Sequence, residues 1–144
     1  MVEQDTIKLL RECDAGVKMG ISSIQDVLDN VSSPDLNKLL TSCKAEHEKL
    51  DKEIHSELNK FHDYGKDPEP IAKGMSWIKT NVKLAVNDTD ATVADLMTDG
   101  CNMGVKSLNK YLNKYKAADE FSKDITKRLI NLEAELAMNM RAFL

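Results

Sequence analysis

The chain has 144 residues, 42% of them hydrophobic, 31% charged and only 5% aromatic, with a formal net charge of −4 at pH 7. That length suits one domain with a core of its own, and the mix is that of a globular protein rather than a disordered or fibrous one. The acidic balance offers no field to attract nucleic acid, no apolar run approaches the roughly 18 residues that cross a bilayer, and the polar stretch from Met1 to Lys8 does not read as a secretory leader.

The first helix is expected over Asp5 to Val31. Its apolar stripe, Ile7, Leu10, Val17, Ile21, Ile24, Leu28 and Val31, alternates steps of three and four and includes one polar member, Asp14. Ser32-Ser33-Pro34 breaks it, with Ser33 placed to cap the next helix and Pro34 suited to its first turn. The second helix is expected over Pro34 to His62, on a stripe of Leu36, Leu40, Cys43, His47, Leu50, Ile54, Leu58 and Phe61. So short a turn makes the two helices antiparallel. Folding the chain about residues 32–33 sets Asp14 opposite Leu50 and Asp51, with His47 about one turn away at 1.5 Å of rise per residue.

Residues 63–70 are a loop by their Gly, Pro and Asp content, and a short helix is expected from Ile71 to Val86, carrying Trp77. Trp77 suits either packing over the bundle or anchoring an interface. Asn87 to Asp90 signals a new helix start. The fourth helix is expected over Asp90 to Tyr115, with Ala94, Thr98, Cys101, Val105, Leu108, Leu112 and Tyr115 inward. The fifth is expected over Ala118 to Phe143, with Ile125, Leu129, Leu132, Leu136, Met140 and Phe143 inward. The predicted organisation is a single domain of hairpin 5–62, crossover 63–89 and hairpin 90–143.

One pattern occurs twice. Gly16-Val17-Lys18-Met19-Gly20-Ile21-Ser22-Ser23-Ile24 and Gly100-Cys101-Asn102-Met103-Gly104-Val105-Lys106-Ser107-Leu108 share the form G-x-x-M-G-[I/V]-x-S-[I/L], the mark of a repeated supersecondary unit. Glycine costs about 1 kcal/mol relative to alanine inside a helix, so four of them call for a compensating gain. Gly16, Gly20 and Ser23 share one helical stripe, as do Gly100, Gly104 and Ser107. A stripe without bulk suits close helix packing first, and a small ligand lying on bare backbone second. Met19 and Met103 flank the stripes and give a soft face suited to a second subunit, so a homodimer is expected.

Two hairpins with apolar seams hide them most simply in an all-α four-helix bundle, made from two repeated hairpins joined by a long crossover that holds a short fifth helix. This arrangement resembles the ferritin-like four-helix-bundle superfamily, and specifically small uncharacterised bacterial members, over the whole chain. The resemblance implies the fold. Di-iron members place Glu on two helices and Glu-x-x-His on the other two. Here Lys44 stands three residues before His47, the fifth helix has no His, Glu133 and Glu135 are followed three places on by Leu136 and Met138, and Thr98 occupies the seam of the fourth helix. Glu12 or Asp14, and Asp95 or Asp99, are the carboxylates left on the first and fourth helices. Ferroxidase or peroxidase chemistry is therefore not carried over.

The chemistry-bearing candidates are few. Asp14, Cys43, His47 and Cys101 fall on seams expected to face one another. A buried Asp14 needs a partner, and His47 or Thr98 is the expected one. Asp14, His47 and Asp51 are the candidate metal ligands, for iron, zinc or manganese; otherwise no cofactor is expected. His47, Asp51 and His55 form a polar stripe in which His55 is expected at an exposed face. No nucleophile is set beside a base and an orienting acid by a recognisable motif, so no catalytic residue is named. Three widely spaced cysteines, Cys13, Cys43 and Cys101, suit reduced thiols and a cytoplasmic setting rather than a disulfide frame. The expected function is a non-enzymatic structural or interaction module with no nucleic-acid or membrane partner, and the alternative is a metal- or redox-handling protein with its site near Asp14 and His47.

Overall fold

A computed structural model describes residues 2–68 and 89–144. The described residues form four α-helices and one short terminal turn: α1 (Val2–Leu28), α2 (Pro34–Asn59), α3 (Asp90–Lys114) and α4 (Glu120–Met140), followed by a 3₁₀ turn, Arg141–Phe143. There is no strand among them. The expected helix over 71–86, with Trp77, lies outside the described residues.

Start signals in the sequence became caps. Ser33 Oγ accepts the amide of Leu36 at 3.3 Å with Pro34 at the first helical position, and Thr89 Oγ1 accepts that of Thr92 at 3.2 Å. α4 begins at Glu120, two residues after the expected start at Ala118, because Asp119 is the cap, accepting from Ser122 N at 2.8 Å. α1 closes at Leu28 and α2 at Asn59, each about three residues earlier than the apolar stripes suggest. Val31 and Phe61 still pack against the core from outside the helices.

The directions of the helices follow from contacts at fixed intervals. Asp119 N donates to Thr6 Oγ1, Cys13 bonds Thr126 at 3.1 Å, and Gly20 faces Glu133. Steps of seven residues along both helices make α1 and α4 parallel neighbours along a heptad seam. Arg128 grips Glu53 through both guanidinium nitrogens at 3.0 Å, and His47 meets Glu133, so α2 and α4 are antiparallel. At one end, Asp90 at the start of α3 takes the amides of Ser32 and Ser33 at 2.8 and 3.0 Å. At the other, Asp5 and Thr6 at the start of α1 take the amides of Ala117 and Asp119 at 3.0 and 2.8 Å. Each hairpin thus caps the turn of the other.

The interior is divided. One apolar cluster gathers Ile24, Leu36, Leu40, Leu96, Leu136 and Met140 with their neighbours, and a second gathers Leu10, Val17, Ile54, Leu58, Ile125 and Leu129. On every helix the residue between the two clusters is either a glycine or polar: Gly20 on α1, His47 on α2, Gly104 on α3, Glu133 on α4. At mid-height a polar layer interrupts the apolar seams.

Candidate functional site

The layer is built around His47, which has no solvent exposure. Its Nδ1 lies 2.8 Å from the carbonyl oxygen of Cys43, one turn earlier, and its Nε2 lies 2.6 Å from Glu133 Oε1. A backbone carbonyl and a carboxylate are both acceptors, so both ring nitrogens donate and the ring is an imidazolium. Burial alone would lower its pKa. The hydrogen bonds to Cys43 and Glu133 and the negative charge of Glu133 outweigh that, and raise it to about 10. Room for the ring comes from Gly20: a Cβ there would sit 2.7 Å from His47 Cδ2 and Nε2. The second glycine of the other repeat copy, Gly104, faces Glu133 Oε2, 3.6 Å from where its Cβ would be. Cys101 donates its thiol hydrogen to the same carboxylate, and burial and that negative charge push its pKa well up.

The first glycines and their neighbours do not close fully on one another. Gly16, Gly20, Gly100 and Gly104 line a cavity of about 530 Å³ between α1 and α3, together with Met19, Met97, Met103 and Glu133. That volume lies within the range of small-molecule sites, which are mainly apolar with a few placed polar groups.

A second polar centre lies one to two turns away, around Asp14, also with no solvent exposure. Asp14 Oδ2 accepts from Lys18 Nζ at 2.8 Å and from the backbone amide of Lys66 at 2.9 Å. Asp14 Oδ1 lies 2.8 Å from His55 Nε2, and Asp51 Oδ1 lies 3.5 Å from the same nitrogen. The loop after α2 folds over this group because Gly65 adopts φ +90°. A Cβ on Gly65 would collide with the Asp14 carboxylate, its Cγ only 2.9 Å away. Burial would raise the pKa of Asp14, but Lys18, the facing Asp51 carboxyl and the Lys66 amide together hold it below the ordinary carboxylate value. Burial and the neighbouring Asp14 push that of Asp51 up to about 6.

No family model, curated protein or solved structure matches this chain. What the protein does is therefore read from these two centres. Among the described residues, no helix is long and apolar enough to cross a membrane.

Several expectations need correcting. Asp14 does not pair with His47 or with Thr98. Thr98 Oγ1 instead turns back to its own helix and donates to Ala94 O at 2.7 Å, and Glu133 is the partner of His47. His55 is not a free surface group: its side chain is 37% exposed and reaches Asp14. Of the candidate ligands Asp14, His47 and Asp51, the fold brings the two aspartates together and places His55, not His47, beside them. Folding about residues 32–33 correctly set Asp14 opposite Asp51. The apolar stripe of the last helix points to Leu132 as the seam residue, but Leu132 is half-buried whereas Glu133 is 8% exposed. The spacing Leu129, Glu133, Leu136, Met140 is an equally good stripe, and two glycines at one level of the repeat signalled a bulky neighbour.

The di-iron centre of the resembled family does not fit the mid-bundle layer. Gly20 and Gly104 stand on α1 and α3 at the height of His47 and Glu133 and bring no side chain, and both nitrogens of His47 are already committed.

Proposed function

We propose that this protein is a non-enzymatic binding module of ferritin-like topology that holds a small, largely apolar molecule bearing one hydrogen-bond donor, such as an amine. The observation that carries the reading is the cavity of about 530 Å³ with the Glu133 carboxylate in its lining. Four glycines leave the walls thin, and methionines make them adaptable. The imidazolium of His47 holds Glu133 Oε1 and the Cys101 thiol donates to the same carboxylate, whose Oε2 faces Gly104. A donor on the ligand would find an acceptor already oriented, at little entropic cost.

The topology belongs to the same proposal. α1 and α4 run one way and α2 and α3 the other, and α2 ends at the opposite end of the bundle from the start of α3. This is the order of a bundle with a single long crossover. A binding role is favoured over nucleophilic catalysis because burial pushes the Cys13 thiol up to about 12 and that of Cys101 up as well, so both stay protonated.

The test is a titration followed by amide NMR, where glycine signals are well separated. Hexylamine should shift the amides of Gly20 and Gly104 saturably, and hexanol should do so more weakly. Glu133→Gln should remove the preference for the amine. Absence of saturable shifts with both compounds, up to their solubility, would refute the reading. Homodimer formation is proposed in addition, with the half-exposed Met103 beside the cavity as its supporting feature; sedimentation velocity at high micromolar concentration checks it.

A further inference from the structure

Asp14 presents an asymmetric carboxylate. Its Oδ2 is saturated by two donors, Lys18 Nζ and the Lys66 amide. Its Oδ1 is fully buried and receives no aligned hydrogen bond, and the same holds for Asp51 Oδ1. His55 Nε2 is near both oxygens, at 2.8 and 3.5 Å, but its N–H direction serves neither. An unsatisfied buried carboxylate oxygen is costly, and two of them side by side more so.

We propose that Asp14 Oδ1, Asp51 Oδ1 and His55 Nε2 form a binding site for one divalent transition-metal ion of the manganese, iron or zinc type. These three atoms all lie within 4.8 Å of one another. Ligands about 2.1 Å from a metal stand about 3.0 Å apart at octahedral angles and about 3.4 Å apart at tetrahedral ones. The two distances measured from His55 Nε2 span those values. A repulsive cluster of oxygens becomes a coordinating one once a cation sits at its centre.

The surroundings match what metal ligands require. Lys18 and the Lys66 amide hold the far oxygen of the Asp14 carboxylate and so fix its rotation, as hydrogen bonds behind a metal ligand do. Asp51 and His55 are one turn apart on α2, a spacing that turns both side chains to one face. They are 23% and 37% exposed, so an ion can enter without unfolding the bundle. One imidazole with two carboxylates suits borderline cations better than calcium or magnesium, which take oxygen ligands. The ammonium of Lys18 sits on the opposite oxygen and does not occupy the proposed position. Lys18 also bonds Asp67 at 3.1 Å, which holds it there.

Isothermal titration of the chelator-treated, dialysed full-length protein with manganese chloride and zinc chloride tests the site. One ion per chain is expected to bind with micromolar or tighter affinity. Asp51→Asn and His55→Ala should each weaken it at least tenfold, while His62→Ala, at an exposed histidine in the loop, should not. Circular dichroism of each variant separates lost binding from lost folding, and Asp51→Asn keeps the shape of the residue it replaces. Absence of saturable binding by the folded wild-type protein would overturn the proposal. So would affinity unchanged in both Asp51→Asn and His55→Ala, or affinity lowered equally by His62→Ala.

Discussion

Replacing Glu133 by glutamine tests the charge state of the mid-bundle layer. In the folded protein the pKa of His47 is raised from 6.5 to about 10. The fold therefore keeps a proton that the unfolded chain releases. The stability this contributes is fully present below about pH 6.5 and is lost as pH rises towards 10. At roughly 1.4 kcal/mol per pH unit, the loss between pH 6.5 and 8.5 has a ceiling of about 3 kcal/mol, and relaxation around the pair brings the expected value to about 1–2 kcal/mol. Cys13 and Cys101 have thiol pKa values raised by burial, so they too favour unfolding once the unfolded thiols ionise near pH 8.5. The lower window avoids most of that effect. The titratable neighbours of the ring are Cys43, Glu133 and, through Glu133, Cys101, and only Glu133 is changed. In Glu133→Gln the ring loses its anionic partner, and burial favours the neutral imidazole. Urea unfolding followed at 222 nm should give a variant less stable by about 2–4 kcal/mol at pH 6.5, with a much flatter dependence up to pH 8.5. If the wild-type midpoint holds constant or rises over this range, or if the two proteins change in parallel, His47 is not an imidazolium held by Glu133.

Four further outcomes follow from the structure. Gly20→Ala puts a methyl 2.7 Å from the His47 ring and should cost about 1–2 kcal/mol, the overpacking penalty less the gain in helix propensity. By contrast, Gly16→Ala and Gly104→Ala meet neighbours at 3.6 Å or more and should raise the melting temperature by a few degrees. Gly65→Ala should destabilise by about 2 kcal/mol or more, because φ is +90° and the new methyl strikes Asp14; hydrogen exchange should show the Lys66 amide losing protection. Finally, all three cysteines are free and buried, so a thiol reagent at pH 8 should label the native protein far more slowly than the urea-unfolded chain, which should show three reactive thiols.

The four described helices were legible because their apolar stripes and caps were local signals. Ser33-Pro34 and Thr89-Asp90 announced helix starts directly. The polar interior was less legible, since each partner choice depended on how one seam faces another. Asp14 and Asp51 could be matched by folding the first hairpin on paper, because both lie within it. Glu133 lies in the second hairpin, and its partner His47 in the first. Nothing local distinguishes Leu132 from Glu133 as the seam position until α2 and α4 are placed side by side. The Lys66 amide on Asp14 was invisible for another reason: it depends on one left-handed residue, Gly65, which the sequence marked only as part of a loop.

The capping of each hairpin's turn by the other hairpin bears on how the molecule comes apart. Residues 2–68 alone would leave the amides of Ser32 and Ser33 without Asp90, and residues 89–144 alone would leave those of Ala117 and Asp119 without Asp5 and Thr6. Neither half owns the bonds that finish it, so the two should melt together rather than in sequence. Sliding one half along the other by a single helical turn, about 5.4 Å, would unfasten both extremities at once. The bundle therefore has one alignment, latched at its two ends.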